Sequence, residues 1–211
     1  WRRFTALSGG SLLEKSCHDL DLLTWMADSR PTRVSSFGGK AIFCPNSFLP
    51  DKCDEKCPIS DRCIYYLGNK RMSNNIGSVK MDDCCIYNSL KDIADHQSVQ
   101  IQYENGVVCN FLLNFNTSND HSGKKKVMSH NLENDEITEH HLTLNNSPHA
   151  GGNRLHAEEF LRLAAGIAKK PKASEYDAFV SAMLCFAADR SRAEKRQVGF
   201  QYPGFKNIEL V

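Results

Sequence analysis

Between Ser11 and Asp28 the chain repeats apolar residues at helical intervals, and this segment limits what the rest can fold into. Leu12, Leu13, Cys17, Leu20 and Leu23 share one arc of a helix, an arc that has to be buried against another element. At roughly 100° per residue, Glu14, His18 and Asp21 fall within about 60° of one another on a separate arc. A carboxylate, an imidazole and a second carboxylate therefore sit beside the stripe that anchors the helix. His18 is a candidate general acid or base, with a neighbouring carboxylate fixing its tautomer. Lys15 projects about 100° from Glu14 and reaches the same space only from its edge. The same spacing describes a solvated face with favourable i,i+4 charge pairs, and spacing alone does not separate the two readings.

The remainder of the chain reads as α+β. Gly9, Gly10 and Ser11 open the first helix, which runs to about Asp28 and is stopped by Pro31. Thr32 to Phe43 reads as a strand with a glycine interruption, and 44–90 is polar, irregular and rich in Cys, Asn and Pro, the mark of an inserted excursion. Ser98–Tyr103 and Val107–Phe115 alternate around Glu104-Asn105-Gly106, the clearest hairpin in the sequence. Weaker strands are expected at 126–130 and 137–144. Helices follow at Arg154–Ala168 and Tyr176–Ala193, separated by the Lys-Lys-Pro-Lys turn at 169–172, and Arg192 to Arg196 suit a helix C-terminus. Helices at both ends with strands between them predict one sheet covered on one face.

Composition narrows the function. A chain of 211 residues with 41% hydrophobic content can bury a sizeable core, and one domain is the default count. Lys and Arg number 26 against 25 Asp and Glu, a net charge of +1, so nothing argues for nucleic acid or an anionic membrane as partner. The basic run Lys124–Lys126 is offset by Glu133 to Glu136, and no apolar stretch nears the roughly 20 residues needed to span a bilayer.

The segment Gly9 to Trp25 resembles the start of the C-terminal domain of the Gfo/Idh/MocA oxidoreductases, and Asp95-His96-Gln97, the Tyr-Glu-Asn-Gly turn at 103–106 and Asp177 to Ser181 extend the likeness. The resemblance implies a largely antiparallel sheet with helices on one side, its open face making contacts in a homo-oligomer. It further implies NAD or NADP chemistry on a sugar, inositol or related polyol. Glu14 and His18 match the acidic residue and histidine that face nicotinamide and substrate, with Lys15 auxiliary to them. Asp21, His96 and His149 match positions on the substrate side. His149-Ala-Gly-Gly-Asn153 departs from a segment that usually ends in aspartate, and 116–150 matches poorly.

No Gly-x-Gly-x-x-Gly occurs, Gly38-Gly39 and Gly151-Gly152 being isolated pairs, and the chain begins at Trp1. The expectation is thus a substrate-side half over 1–211, separated from an N-terminal Rossmann domain and inactive alone.

Nine cysteines form the second feature. Cys53-x3-Cys57-x5-Cys63, followed by Cys85, offers four thiolates inside the excursion, with Cys44 as a substitute, and a structural zinc would staple a segment that lacks a core. Disulfides and ordinary reduced thiols are the competing readings, and a cytoplasmic location, which we expect, disfavours the former. Cys17, Cys109 and Cys185 lie on apolar faces and read as core. His140-His141 has no accompanying ligand cluster. Two other functional classes stay open: a non-catalytic ligand-sensing or assembly protein of this fold, and an NAD-using glycosidase or lyase.

Overall fold

The computed structural model describes residues 1–53, 56–66, 84–115, 125–131, 133–142, 151–204 and 207–211. A single turn, α1 (Thr5–Ser8), precedes the long helix α2 (Ser11–Ala27). Gly10 is the N-cap of α2 at φ +96°, and Asp28 ends the helix in the left-handed conformation at φ +47°. Asn105, from the tip of the hairpin, donates through Nδ2 to Ala27 O at 2.9 Å and so occupies one of the carbonyls a helix end leaves over. The stop thus lies ahead of Pro31, which instead opens strand β1 (Pro31–Gly39).

β1 is shorter than its sequence suggests. Beyond Gly39 the backbone turns away, and Ala41, Ile42 and Phe43 direct their N–H groups to the Asp95 carboxylate instead of a neighbouring strand. The hairpin forms as β2 (His96–Tyr103) and β3 (Val108–Asn114), with Gly106 at φ +88° in its turn. A second, separate hairpin pairs β4 (Lys125–Asn131) with β5 (Glu136–Leu142). Helices α3 (Gly152–Ala164) and α4 (Glu175–Glu194) follow, then β6 (Val198–Gly204) and β7 (Asn207–Leu210). β6 and β7 were not expected: they are short, and a Pro-Gly pair closes β6, masking any alternation.

The main sheet has the order β3-β2-β1-β6-β7, and every neighbouring pair is antiparallel. One face carries Val34, Val99, Ile101, Leu113, Val198 and Phe200, which pack with Leu12 and Leu20 of α2 and Leu184 and Ala188 of α4. Leu12 and Leu20 are fully buried, each contributing about 2 kcal/mol relative to exposure. The expected α+β architecture, a mostly antiparallel sheet with helices on one face, is what forms. The opposite face is exposed: Phe37 on β1 and Leu112 on β3 flank Ser98 on β2 in one cross-strand row.

The chain divides into two compact units, Trp1–Asn116 with Tyr176–Val211, and Thr117–Glu175. The first holds the five-stranded sheet, α1, α2 and α4; the second holds the β4–β5 hairpin and α3. Among the described residues no helix is long and apolar enough to cross a membrane.

Candidate active site

Because the apolar arc of α2 is buried on the sheet, its polar arc is left at the flank. Leu12, Ser16 and Leu20 are buried, Leu13, Cys17 and Leu23 partly so, and Glu14, Lys15, His18 and Asp21 reach outward to differing degrees. His18 is 74% exposed, and its Nε2 lies 3.5 Å from the Asp19 carboxylate. Glu14 is 19% exposed and is engaged by Arg2, whose Nε donates to Glu14 Oε1 at 2.6 Å. The two therefore share a stripe without bonding to each other, and Arg2 is the residue that sequence spacing missed. It lies outside the helix, where no periodicity points to it. Lys15 is exposed, in keeping with its position at the edge.

Asp21 lies one turn further along, half-buried. Burial first, and then the neighbouring Asp177 carboxylate of α4, raise its pKa above the ordinary carboxylate value. Two like charges converge there, a usual means of keeping a carboxyl group ready to hold a proton.

His96 stands at the entry of β2, its Nδ1 2.8 Å from Asp95 Oδ1. Asp95 is itself buried and accepts from the N–H groups of Ala41, Ile42 and Phe43 at 2.8–3.2 Å. Burial works to raise the Asp95 pKa, but the bonds from His96, Phe43, Ile42 and Ala41 outweigh it and hold the carboxyl below its ordinary value. The result is an anionic anchor that fixes the ring of His96 and turns the 41–43 backbone. His149 lies outside the described residues.

Cys17, Cys109 and Cys185 lie in or against the core as expected, whereas the cysteines of the excursion depart from the metal expectation. None of the nine is joined in a disulfide, and among the described residues no group of three or more His, Cys, Asp or Glu is placed to hold a metal ion. The site expected from Cys53, Cys57, Cys63 and Cys85 is therefore not assembled. Other interactions order the described parts of the excursion. Asn88 Nδ2 donates to Asn46 O and Leu49 O at 3.1 and 2.7 Å, and Lys91 Nζ donates to Ile86 O, Tyr87 O and Ser89 O at 2.7–3.0 Å. Phe43, Tyr65 and Tyr87 meet edge to face, with centroids 5.1–6.5 Å apart, a small apolar nucleus where a metal was expected.

Known proteins share this architecture. The family model for the C-terminal alpha/beta domain of the oxidoreductase family matches residues 1–199. YteT of Bacillus subtilis, an oxidoreductase by name, is 26% identical over 137 residues that take in 54% of this chain and 32% of YteT. Among solved structures, GenD2 from gentamicin A biosynthesis, determined with NAD, superposes with a TM-score of 0.57 at 13% identity, over 96% of this chain and 51% of GenD2. The WlbA dehydrogenase of Bordetella pertussis, determined with NADH and UDP-GlcNAcA, gives 0.51 at 11% identity, over 96% of this chain and 48% of WlbA. The chain thus spans about half the length of these structures and a third of YteT. With residues 1–199 of 211 matched, this chain belongs to the Gfo/Idh/MocA oxidoreductase family, as its C-terminal alpha/beta domain.

Proposed function

We propose that this chain is the substrate-side half of an NAD(P)-dependent oxidoreductase that acts on a sugar, inositol or related polyol. The observation that supports it above all is α2: a helix locked to the sheet by its apolar arc while Glu14, His18 and Asp21 line its flank. The described residues offer no glycine loop for a dinucleotide phosphate, and Gly38 has a structural use inside β1. The cofactor's phosphates therefore belong to a Rossmann domain joined to this one. A bound nicotinamide supplies hydride acceptance or donation.

In this reading His18 takes the proton from the substrate hydroxyl as it is oxidised and returns it when a carbonyl is reduced. Glu14, held by Arg2, orients the substrate, and Lys15 adds positive charge at the edge. Asp21 and the Asp95-anchored His96 bind further hydroxyls, with His149 assigned the same role. A nucleotide sugar bound to WlbA is in keeping with a polyol class. The exposed sheet face joins subunits of a homo-oligomer, and nine thiols without a disulfide suit a reducing, cytoplasmic setting.

The test is His18→Ala in the whole protein. General acid–base loss should lower kcat by about 10²- to 10⁴-fold, while the thermal midpoint stays near wild type because His18 is exposed. Equal kcat per folded molecule removes His18 from the chemistry.

A further inference from the structure

The N-terminal end of α2 is held by more than its apolar arc. Ser11 Oγ donates to Ala94 O at 2.5 Å, immediately before Asp95 and His96. From α4, Asp189 approaches the same helix end. Its Oδ2 fills the space of a side chain at Gly10, 2.4 Å from where a Cβ would stand. Its Oδ1 accepts from Gln97 Nε2 at 3.2 Å and from Arg192 Nη2 at 3.4 Å. Gln97, the neighbour of His96 in β2, is fully buried and also donates to Ser36 Oγ of β1 at 3.0 Å.

This arrangement explains a local oddity. The first turn of a helix leaves N–H groups without intrahelical acceptors, and a Ser, Thr, Asp or Asn N-cap commonly serves them. Here the N-cap is Gly10, which has no side chain and no side-chain cap bond. A carboxylate brought by another helix supplies the negative charge that the positive end of α2 attracts. Burial works against that charge and raises the Asp189 pKa, with Arg192 and Gln97 opposing. A carboxylate kept against such a penalty, where an apolar residue would pack without it, points to a geometric use.

We propose that Asp189 is a positioning residue for the chemistry-bearing helix: it locks the first turn of α2, with Glu14 one turn further on, to the Asp95–Gln97 entry of β2. Two sets of polar side chains from distant parts of the chain are thereby held in one frame. The proposal rests on the reading of α2 as the catalytic helix.

Asp189→Asn in the whole protein tests it, because asparagine keeps the shape and an acceptor for Gln97 but removes the charge. Exchange of the Glu14 amide, which bonds to Gly10 O at 3.1 Å and closes the first turn, should quicken about tenfold. In the same variant kcat should fall about tenfold or more with KM within about twofold, since small misplacements of reacting groups are costly. Glu194→Gln, a surface change on the same helix, should move neither. Arg192→Gln withdraws the cation beside Asp189 Oδ1 and leaves Gly10 untouched, and should reproduce the pattern in weaker form; it carries the test if Asp189→Asn does not fold. Unchanged exchange, or faster exchange with wild-type kcat per folded molecule, overturns the proposal. Absence of any polyol turnover by the wild-type protein would instead overturn the reading of α2, and the exchange result would still report whether Asp189 holds the helix.

Discussion

Asp95 shows how one carboxylate can order several parts of a site. It is 5% exposed, yet it serves three backbone N–H groups and the His96 ring, and its own N–H reaches Gly39 O at 2.8 Å. Its pKa lies below the ordinary value, so the folded state binds its proton less readily than the unfolded chain does. The stability it confers is therefore complete above about pH 4 and is lost as the pH falls through the lower folded value. Asp95→Asn should cost about 1–3 kcal/mol near neutral pH, because N–H groups are left facing a weaker acceptor. It should also flatten the acid limb of a stability profile measured by chemical denaturation. Acid limbs of equal slope in the two proteins would show that the hydrogen bonds do not lower this pKa. In the sequence Asp95-His96-Gln97 was visible only as a resemblance, since hydrogen bonds to residues some 50 positions away have no local signature. Arg2 and Asp189 were hidden for the same reason, whereas Glu14, His18 and Asp21 could be placed because a single helix relates them.

At the scale of elements, β1 shows a constraint that side-chain patterning cannot reveal. Gly38 pairs with Gln97, and a Cβ there would stand 2.3 Å from His96 O and 2.7 Å from Gln97 Cα. Both obstacles are backbone atoms of the strand that positions His96, so neither can rotate aside. Gly38→Ala should destabilise the protein by about 1–3 kcal/mol or more, the range for overpacking, and should disturb the β1–β2 ladder in amide exchange. Gly39, with open space around its Cβ position, is the control: Gly39→Ala should leave the ladder intact. A Gly38→Ala protein as stable as Gly39→Ala would show that the strands separate freely. Elements with a strong period, α2, the β2–β3 hairpin and α4, formed within a few residues of their expected bounds. Those set by tertiary contacts were misjudged: the end of β1 depends on the Asp95 carboxylate, and β6 and β7 are drawn into the sheet by β1. The cysteine spacing suggested a metal, but thiolates near one another in sequence need not converge in space, and among the described residues ring packing and side-chain-to-carbonyl bonds take the place of a metal cluster.

For the whole molecule, the sheet has one face built into a core and another that a lone chain leaves in water. On the second face Phe37 is 76% and Leu112 69% exposed, in one row across Ser98, with exposed Val108 further along β3. Gln100, Gln102 and Asn110 surround them, so an apolar centre is rimmed by hydrogen-bonding groups, the composition of a protein interface. In the proposed homo-oligomer this face packs against its counterpart in a second subunit. Replacing both Phe37 and Leu112 by Asp places two charges at the centre of that contact. An interface residue of this kind is worth about 1–2 kcal/mol or more, so the dissociation constant should rise at least roughly thirtyfold for the pair. Both side chains point away from the core, so the monomer released should keep its fold, its helical circular dichroism and a thermal midpoint only modestly lowered by the lost association. Sedimentation equilibrium of the whole protein, over a concentration series, separates the outcomes. A wild-type protein that stays monomeric at tens of micromolar, or a Phe37→Asp, Leu112→Asp protein that assembles as the wild type does, would rule this face out as the interface.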